Sequence, residues 1–515
     1  MRQQLADAGV RVRLDAQEHV GEVVFGIDAV GLAGGDEGVE AGEVLARGFV
    51  VGEEEALPAQ GRFLSAAMDG RLHHSHVLVI EGGSFRNSPR PWPGAGSPPP
   101  RSFGRIRLRS AWPNRLRAIT PAVGTCTPEE VPRRQTLNRE KWHRRSRNRG
   151  SMELAITGLG MVSSVGLGVA PACAAIRAGI TRPRPLRSFQ ILESEPIEPV
   201  PMFGHPVEGY TKGFISVGRW LRLAAGALDD LLAYGTSPSR SDTAFWKHTG
   251  LVAALPFPEE ESLSGHLQRD LELLRRTYVL PLLQIANIPI PPEHTQVLWS
   301  GHVGALDAVR RAQHMMEAGR VERVVVIAAD SYLDEVMLEE LLDQRRMKSP
   351  SVPSGLMPGE AAACFLLETL RSARGRKVKP EAILRGVVTA HDERFSLAEP
   401  HTGAMLAQVT GQALDTAGLA APFAGDLHTD LNGENWRASQ LAYARVRLSE
   451  RLSSDIRILA TALSLGDVGA ASGAVSICVA CRAWRRGYAY SDTSLILMLS
   501  ERGHAGAMFL ERARN

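Results

Sequence analysis

One stretch of this sequence constrains the fold more than any other: a helical period that runs straight into a β-branched run. Between His302 and Ala318, Val303, Leu306, Val309, Ala312 and Met316 recur at intervals of three and four, the spacing of a helix with one buried face. Gly319 follows as a helix stop. Arg323 to Ala329, RVVVIAA, is then a short apolar run bounded by charge, as a strand buried on both faces requires. Helix and buried strand in this order specify a layered α/β domain. The alternation extends along the chain: strands are expected at Leu154 to Thr157, Gly359 to Glu368, Ala382 to Thr389, Leu427 to Leu431, Ser494 to Leu499 and Ala507 to Leu510. Helices are expected at Ala170 to Ala178, Met405 to Ala417 and Gly473 to Trp484. The pattern reads as one unit used twice, without enough internal identity to be a sequence repeat.

The first 151 residues do not share this pattern. Up to about Glu81 the sequence is acidic and rich in Gly and Val, and from Arg86 to Gly150 it is rich in Arg and Pro. The second stretch has too little apolar surface to offset chain entropy and is expected to be disordered. Met152 stands directly before a strand-turn signal, MELAITGLGMVSSVG, so a further hypothesis makes Met152 the true start and residues 1–151 an over-extended reading frame. An intact mass of the full 515-residue product from native expression would sink it. His73, His74 and His76 lack a second ligand pair, which favours a solvated loop over a metal site. The domains expected are therefore 1–151, low-complexity or spurious, and 152–515, with halves of roughly 152–375 and 376–515.

Composition adds exclusions. Lys plus Arg (59) nearly balance Asp plus Glu (56), so net charge points to no polyanionic partner. No apolar run is long enough to span a bilayer, and the N-terminus lacks the apolar core of a signal peptide. The five cysteines, Cys126, Cys173, Cys364, Cys478 and Cys481, follow no framework spacing, which suits a reduced, cytoplasmic compartment. Cys364 sits in an expected strand, and Cys478 and Cys481 on an expected helix, where core packing is the simpler role. Nothing in the sequence calls for a cofactor or a metal.

Several segments resemble, in family order, the signposts of β-ketoacyl-acyl-carrier-protein synthases of the thiolase superfamily. AITGLGMVSSVG at 155–166 resembles the opening strand and glycine turn, and VAPACAAIRAGIT at 169–181 the first helix. The block at 299–331, WSGHVGALDAVRRAQHMMEAGRVERVVVIAADS, looks like the nucleophile-bearing helix and its following strand. MPGEAAACFLLE at 357–368 resembles the G-E-G-A strand, ALDTAGLAAPFAGDLHTDLNGE at 413–434 the approach to the first catalytic histidine, and LSLGDVGAASGAVSICVAC at 463–481 the loop and helix carrying the second. SERGHAGAMFLER at 500–512 looks like the closing loop and strand. The resemblance implies a five-layer αβαβα sandwich of two related halves, usually dimeric. It implies fatty-acid- or polyketide-type acyltransferase chemistry, in which a cysteine at a helix N-terminus forms the acyl-enzyme and two polar groups stabilise the enolate.

The residues at those positions are different. Counting back from Gly319 places His302 at the family's cysteine position, or Gly301 or Ser300 if the loop differs in length. The first family histidine aligns with Asn432 in Leu431-Asn432-Gly433-Glu434, the second with Asp467 in Gly466-Asp467-Val468-Gly469, and the preceding lysine with Ala462 or a neighbour. A substitute constellation is available: Ser300 as nucleophile, His302 or His504 as base, Asp467 orienting that base. The competing reading weighs more, with a backbone hydrogen bond for His302 and loop-stabilising hydrogen bonds for Asn432, Glu434 and Asp467.

Three functions follow. The first is a non-condensing homologue that binds an acyl chain, acyl-carrier protein, acyl-CoA or a partner subunit, as a homodimer or as a heterodimer with a related synthase; chain-length-factor subunits are the family precedent. The second is an acyltransferase or hydrolase using Ser300 or His302. The third is a scaffold or nucleic-acid role for the Arg/Pro-rich segment. The stretch from Ser188 to Thr295 departs most from the family and is expected to shape the pocket mouth or a partner surface. Its Trp220 and Trp246 and the leucines from Leu263 to Leu283 are expected to pack in the core.

Overall fold

The computed structural model describes residues 10–13, 23–29, 42–48 and 80–81, and then 152–514 apart from 194–197, 236, 258–266 and 420–421. Contacts divide the chain into two units, Met1–Arg139 and Glu140–Asn515. In the first, the strands Val10–Arg13, Val23–Ala29, Gly42–Gly48 and Ile80–Glu81 pair in sequence as one antiparallel sheet. The Arg/Pro-rich segment and the cluster His73, His74 and His76 lie outside the described residues.

The second unit is a layered α/β domain. The strands along the path of its main sheet are β1 (Leu154–Ser163), β2 (Thr249–Leu255), β3 (Thr295–Trp299), β4 (Arg323–Ser331), β5 (Glu360–Thr369), β6 (Ala382–His391), β7 (Asp426–Thr429), β8 (Arg457–Ala460), β9 (Thr493–Leu499) and β10 (His504–Arg512); Gly166–Leu167 pairs on β1, and Arg184–Glu193 and Glu198–Gly204 make a separate hairpin. The main sheet hydrogen-bonds in the order β3-β2-β4-β5-β1-β6-β10-β9-β7-β8. Leu154–Ile156 joins Ala382–Leu384 at the middle. Outward from that seam, each half places its strands in the order first, fifth, fourth, second, third. The strand directions repeat as well: β2 is parallel to β3 and β4, as β7 is to β8 and β9, and the remaining pairings are antiparallel. One five-stranded unit has been used twice.

Helices form three layers, one between the two halves of the sheet and one on each outer side. The central pair, α3 (Gly304–Glu317) and α7 (Ser472–Arg486), pack on each other and on strands of both halves. Thirteen of the fifteen residues of α7 are buried, so protein surrounds the helix on nearly every side. One outer layer is built on α2 (Ser216–Ala233), which buries Leu223, Ala224, Ala227, Leu228 and Leu231 against β1, β5 and β4. The other has α5 (Ala404–Thr416) on β6 and β10, with α6 (Asn435–Arg447) on α5. The first helix, α1, is Val169–Arg177, and α4, Glu335–Asp343, lies beyond β4.

The elements expected from the periodicity lie close to where it puts them, except at the opening strand, while β2, β3, β8, α2 and α6 were not anticipated. Gly158 and Gly160 read as a turn, but β1 continues through them to Ser163. The reason is close packing: a Cβ on Gly160 would lie 2.0 Å from the carbonyl oxygen of Ala227 and 2.6 Å from the nitrogen of Leu231. The glycine therefore serves contact between β1 and α2, not chain reversal. Trp246 is fully buried and Trp220 packs at the edge of the same cluster as Leu282 and Leu283, while Leu273 is exposed.

Candidate functional site

The site lies where the first turns of the two central helices converge. A 3₁₀ turn, Gly301–Val303, precedes α3, and another, Gly469–Ala471, precedes α7. Gly301 has φ +53°, and a side chain there would meet Phe257 at 2.6 Å, so the turn is available to glycine alone. The turn carries His302 to complete burial. Asp467 is fixed by its backbone, which donates to the Met357 carbonyl at 2.7 Å and accepts from Gly359 at 2.8 Å. Asn432 lies on the loop from β7 to α6, its carbonyl oxygen accepting from the Glu434 N–H at 3.0 Å in an Asx turn.

These three positions, 165 residues apart at the widest, form one hydrogen-bonded chain. His302 Nε2 lies 2.8 Å from Asp467 Oδ1, and Asn432 Nδ2 donates to Asp467 Oδ2 at 2.6 Å and to Glu434 Oε2 at 2.8 Å. Arg437, on α6 and 1 % exposed, sets its Nη2 3.2 Å from each His302 ring nitrogen and donates through Nη1 to Asp430 at 2.6 Å and to the Leu499 carbonyl. Arg346 forks onto Glu434 at 2.7 and 3.1 Å. Glu501 Oε2 stands 3.6 Å from both His302 Nδ1 and Arg437 Nη2.

The electrostatics follow from counting charges. Asp467, Glu501, Glu434 and Asp430 face Arg437 and Arg346, so the cluster is two cations short until His302 takes a proton. Burial and Arg437 both oppose the imidazolium, but Asp467 and Glu501 outweigh them and raise the His302 pKa to about 9. Burial opposes ionisation of Asp467 and Glu501 too, yet His302 and Arg437 hold both well below the usual carboxylate range. Burial pushes Asp330, at the end of β4, up to about 8, outweighing the Ala470 and Ser331 N–H groups that donate to it and the pull of His302.

A cavity of about 610 Å³ opens beside this network. Asp330, Tyr332, Glu434, Trp436 and Glu501 line it, together with Phe257 from the divergent 188–295 stretch. Ser300 is buried next to the turn, and its carbonyl accepts from Val303. His504 stands apart from it: its Nδ1 lies 3.4 Å from Ser500 Oγ and its ring stacks on His391 at 4.0 Å. An imidazolium whose Nε2–H is given to Asp467 cannot take a proton from Ser300. The cysteines supply no thiolate among the described residues. Cys173, Cys364, Cys478 and Cys481 are buried; burial raises Cys173 to about 12 and the others well above the normal range. No described group of three or more His, Cys, Asp or Glu is placed to hold a metal, and no described helix is long and apolar enough to cross a membrane.

No family model matches the sequence, and no curated protein matches it. Solved structures do. A type II polyketide synthase acyl-carrier protein in complex with its ketosynthase bound to the hexaketide matches with TM-score 0.55 at 14% identity, covering 70% of this chain and 100% of that one. The ishigamide ketosynthase/chain length factor matches at 0.51 and 18%, with the same coverages. The ketosynthase from module 6 of the bacillaene synthase of Bacillus subtilis 168 matches at 0.56 and 11%, covering 70% of this chain and 72% of that one. The second unit has the ketosynthase fold. Within this ketosynthase-type, thiolase-like architecture, sequence reasoning found His302, Asn432 and Asp467, which the structure brings together, and Ser300 and His504, which it does not join. It missed Arg437, Glu501, Arg346, Asp430 and Asp330. Asp330 alone left a signal, as an acid closing an otherwise apolar strand.

Proposed function

We propose that this chain is a non-condensing ketosynthase-fold protein of acyl-thioester metabolism. Its domain is 152–515, with halves of roughly 152–375 and 376–515. It binds an acyl chain, delivered on acyl-carrier protein or CoA, in the cavity beside His302. The observation that carries this is the His302–Asp467–Asn432 chain. At the turn where the family resemblance puts a nucleophilic cysteine stands a buried imidazolium tied to a carboxylate, with no free electron pair to attack a thioester. Substituted family positions and a retained cavity fit binding better than turnover.

The relatives in fold support the partners. One is a ketosynthase held in complex with its acyl-carrier protein, another a ketosynthase/chain length factor. Pairing with a second copy or a related synthase in the cytoplasm fits both, and β3, which pairs only with β2 among the described strands, leaves one sheet edge open for it. The acyltransferase alternative loses ground, because Ser300 has neither His302 nor His504 as a base.

Intact-protein mass spectrometry after incubation with acyl-CoA and acyl-carrier protein tests this, combined with calorimetric titration. Saturable binding without a covalent adduct is expected, unchanged in Ser300→Ala. A stable adduct mapped to Ser300 or His302 would overturn the proposal.

A further inference from the structure

Tyr332 stands where the cavity meets His302. Its backbone N–H donates to the Gly359 carbonyl at 3.0 Å, and its ring lies edge-on to the His302 ring with centroids 6.4 Å apart. The side chain belongs to one apolar cluster with Leu338, Leu341, Met347 and Leu356. It sits so close to Gly469 that a Cβ there would lie 2.8 Å from the ring. Tyr332 is 5 % exposed and lines the cavity, yet its phenol O–H has no hydrogen-bond partner among the described residues. Glu501 Oε2 and the Trp436 indole nitrogen also lack partners, but both are sealed off; the phenol oxygen is not. Burial and the carboxylates of Glu501, Asp467 and Asp330 raise the Tyr332 pKa far above the usual phenol range, so the group stays a donor. The donors of the network are spent within it: His302 and Asn432 on Asp467, Arg346 on Glu434, and Arg437 on Asp430 and the Leu499 carbonyl.

We propose that Tyr332 fixes the acyl group in this cavity, its O–H donating to the carbonyl oxygen of the bound thioester. The inference rests on the acyl-binding reading above and assigns the residue that orients the ligand. Phe257, Met337, Leu341, Val352, Leu397 and Trp436 give the cavity apolar walls for the chain. A saturated acyl group carries one strong acceptor, its carbonyl oxygen, and leaving that oxygen without a donor in such a space is costly. The phenol faces the same penalty, since a ligand that displaces its water must offer an acceptor in return. Its ring is held by packing before any ligand arrives, so the hydrogen bond forms without further ordering of the side chain.

The test is calorimetric titration of the full chain with decanoyl-CoA and with decyl-CoA, the thioether of equal length that lacks only the carbonyl oxygen, in the unmodified protein and in Tyr332→Phe. The unmodified protein is expected to bind decanoyl-CoA about three- to tenfold tighter than decyl-CoA, the scale of one neutral hydrogen bond. In Tyr332→Phe that preference should fall below about twofold through weaker binding of decanoyl-CoA, with the circular dichroism spectrum unchanged. Equal affinity for the two ligands in the unmodified protein overturns the inference and leaves acyl binding standing. So does an equal loss of both affinities in Tyr332→Phe, which altered packing alone would produce. Folded protein that binds neither ligand sinks both readings.

Discussion

Replacing Asp467 with Asn keeps the shape of the site and removes the charge that holds the His302 proton. In the unmodified chain the His302 pKa is raised from 6.5 to about 9, which at about 1.4 kcal/mol per tenfold step is roughly 3 kcal/mol of stability. The folded-state value lies above the unfolded one. The contribution is therefore complete below pH 6.5, declines as pH rises, and is gone once pH passes about 9. Breaking a buried charge pair costs about 3–5 kcal/mol. Asp467→Asn should therefore destabilise by that amount at pH 6 and by about 3 kcal/mol less at pH 10. Equilibrium urea unfolding followed by tryptophan fluorescence at both pH values measures the two differences. The buried cysteines titrate alike in both proteins and cancel in the comparison; Asp330 feels both Asp467 and His302, so the comparison is made in an Asp330→Asn background. A stability difference that is the same at pH 6 and pH 10 would refute the imidazolium, and with it the argument that His302 cannot serve as a base.

Two further outcomes are expected. Gly160→Ala forces a methyl to 2.0 Å from the Ala227 carbonyl oxygen, backbone against backbone, and should cost about 3 kcal/mol by urea unfolding, where a neutral result would show that β1 and α2 can separate freely. Iodoacetamide at pH 8 should leave Cys173, Cys364, Cys478 and Cys481 unmodified in native protein and label all four in urea, as read by peptide mass spectrometry; rapid native labelling of any of them would contradict its burial.

Much of the architecture was legible because it rests on local regularities. The 302–318 stripe became α3, and the 323–329 and 382–389 runs became β4 and β6 within two residues at each end. Gly158 and Gly160 misled because a glycine needed for close approach looks the same in sequence as one needed for a turn. His302, Asn432 and Asp467 were found by position in a family pattern, though nothing local reports that they touch. Arg437 and Glu501 were invisible for a different reason. Each sits in a polar stretch, WRASQ and SERGH, where charge ordinarily means solvent, and only the fold turns them inward.

The strand order carries a consequence for how the molecule is made. β10 is interior, flanked by β6 and β9, although it is the last strand in chain order. Until the ribosome has released it, β6 has only its three-residue seam with β1, and the layer formed by β9, β7 and β8 has no link to the rest of the sheet. Loop closure over more than a hundred residues must then precede the reward of pairing. The nascent chain therefore waits with an unfinished sheet, a period in which a chaperone or an already folded partner subunit has open backbone edges to occupy.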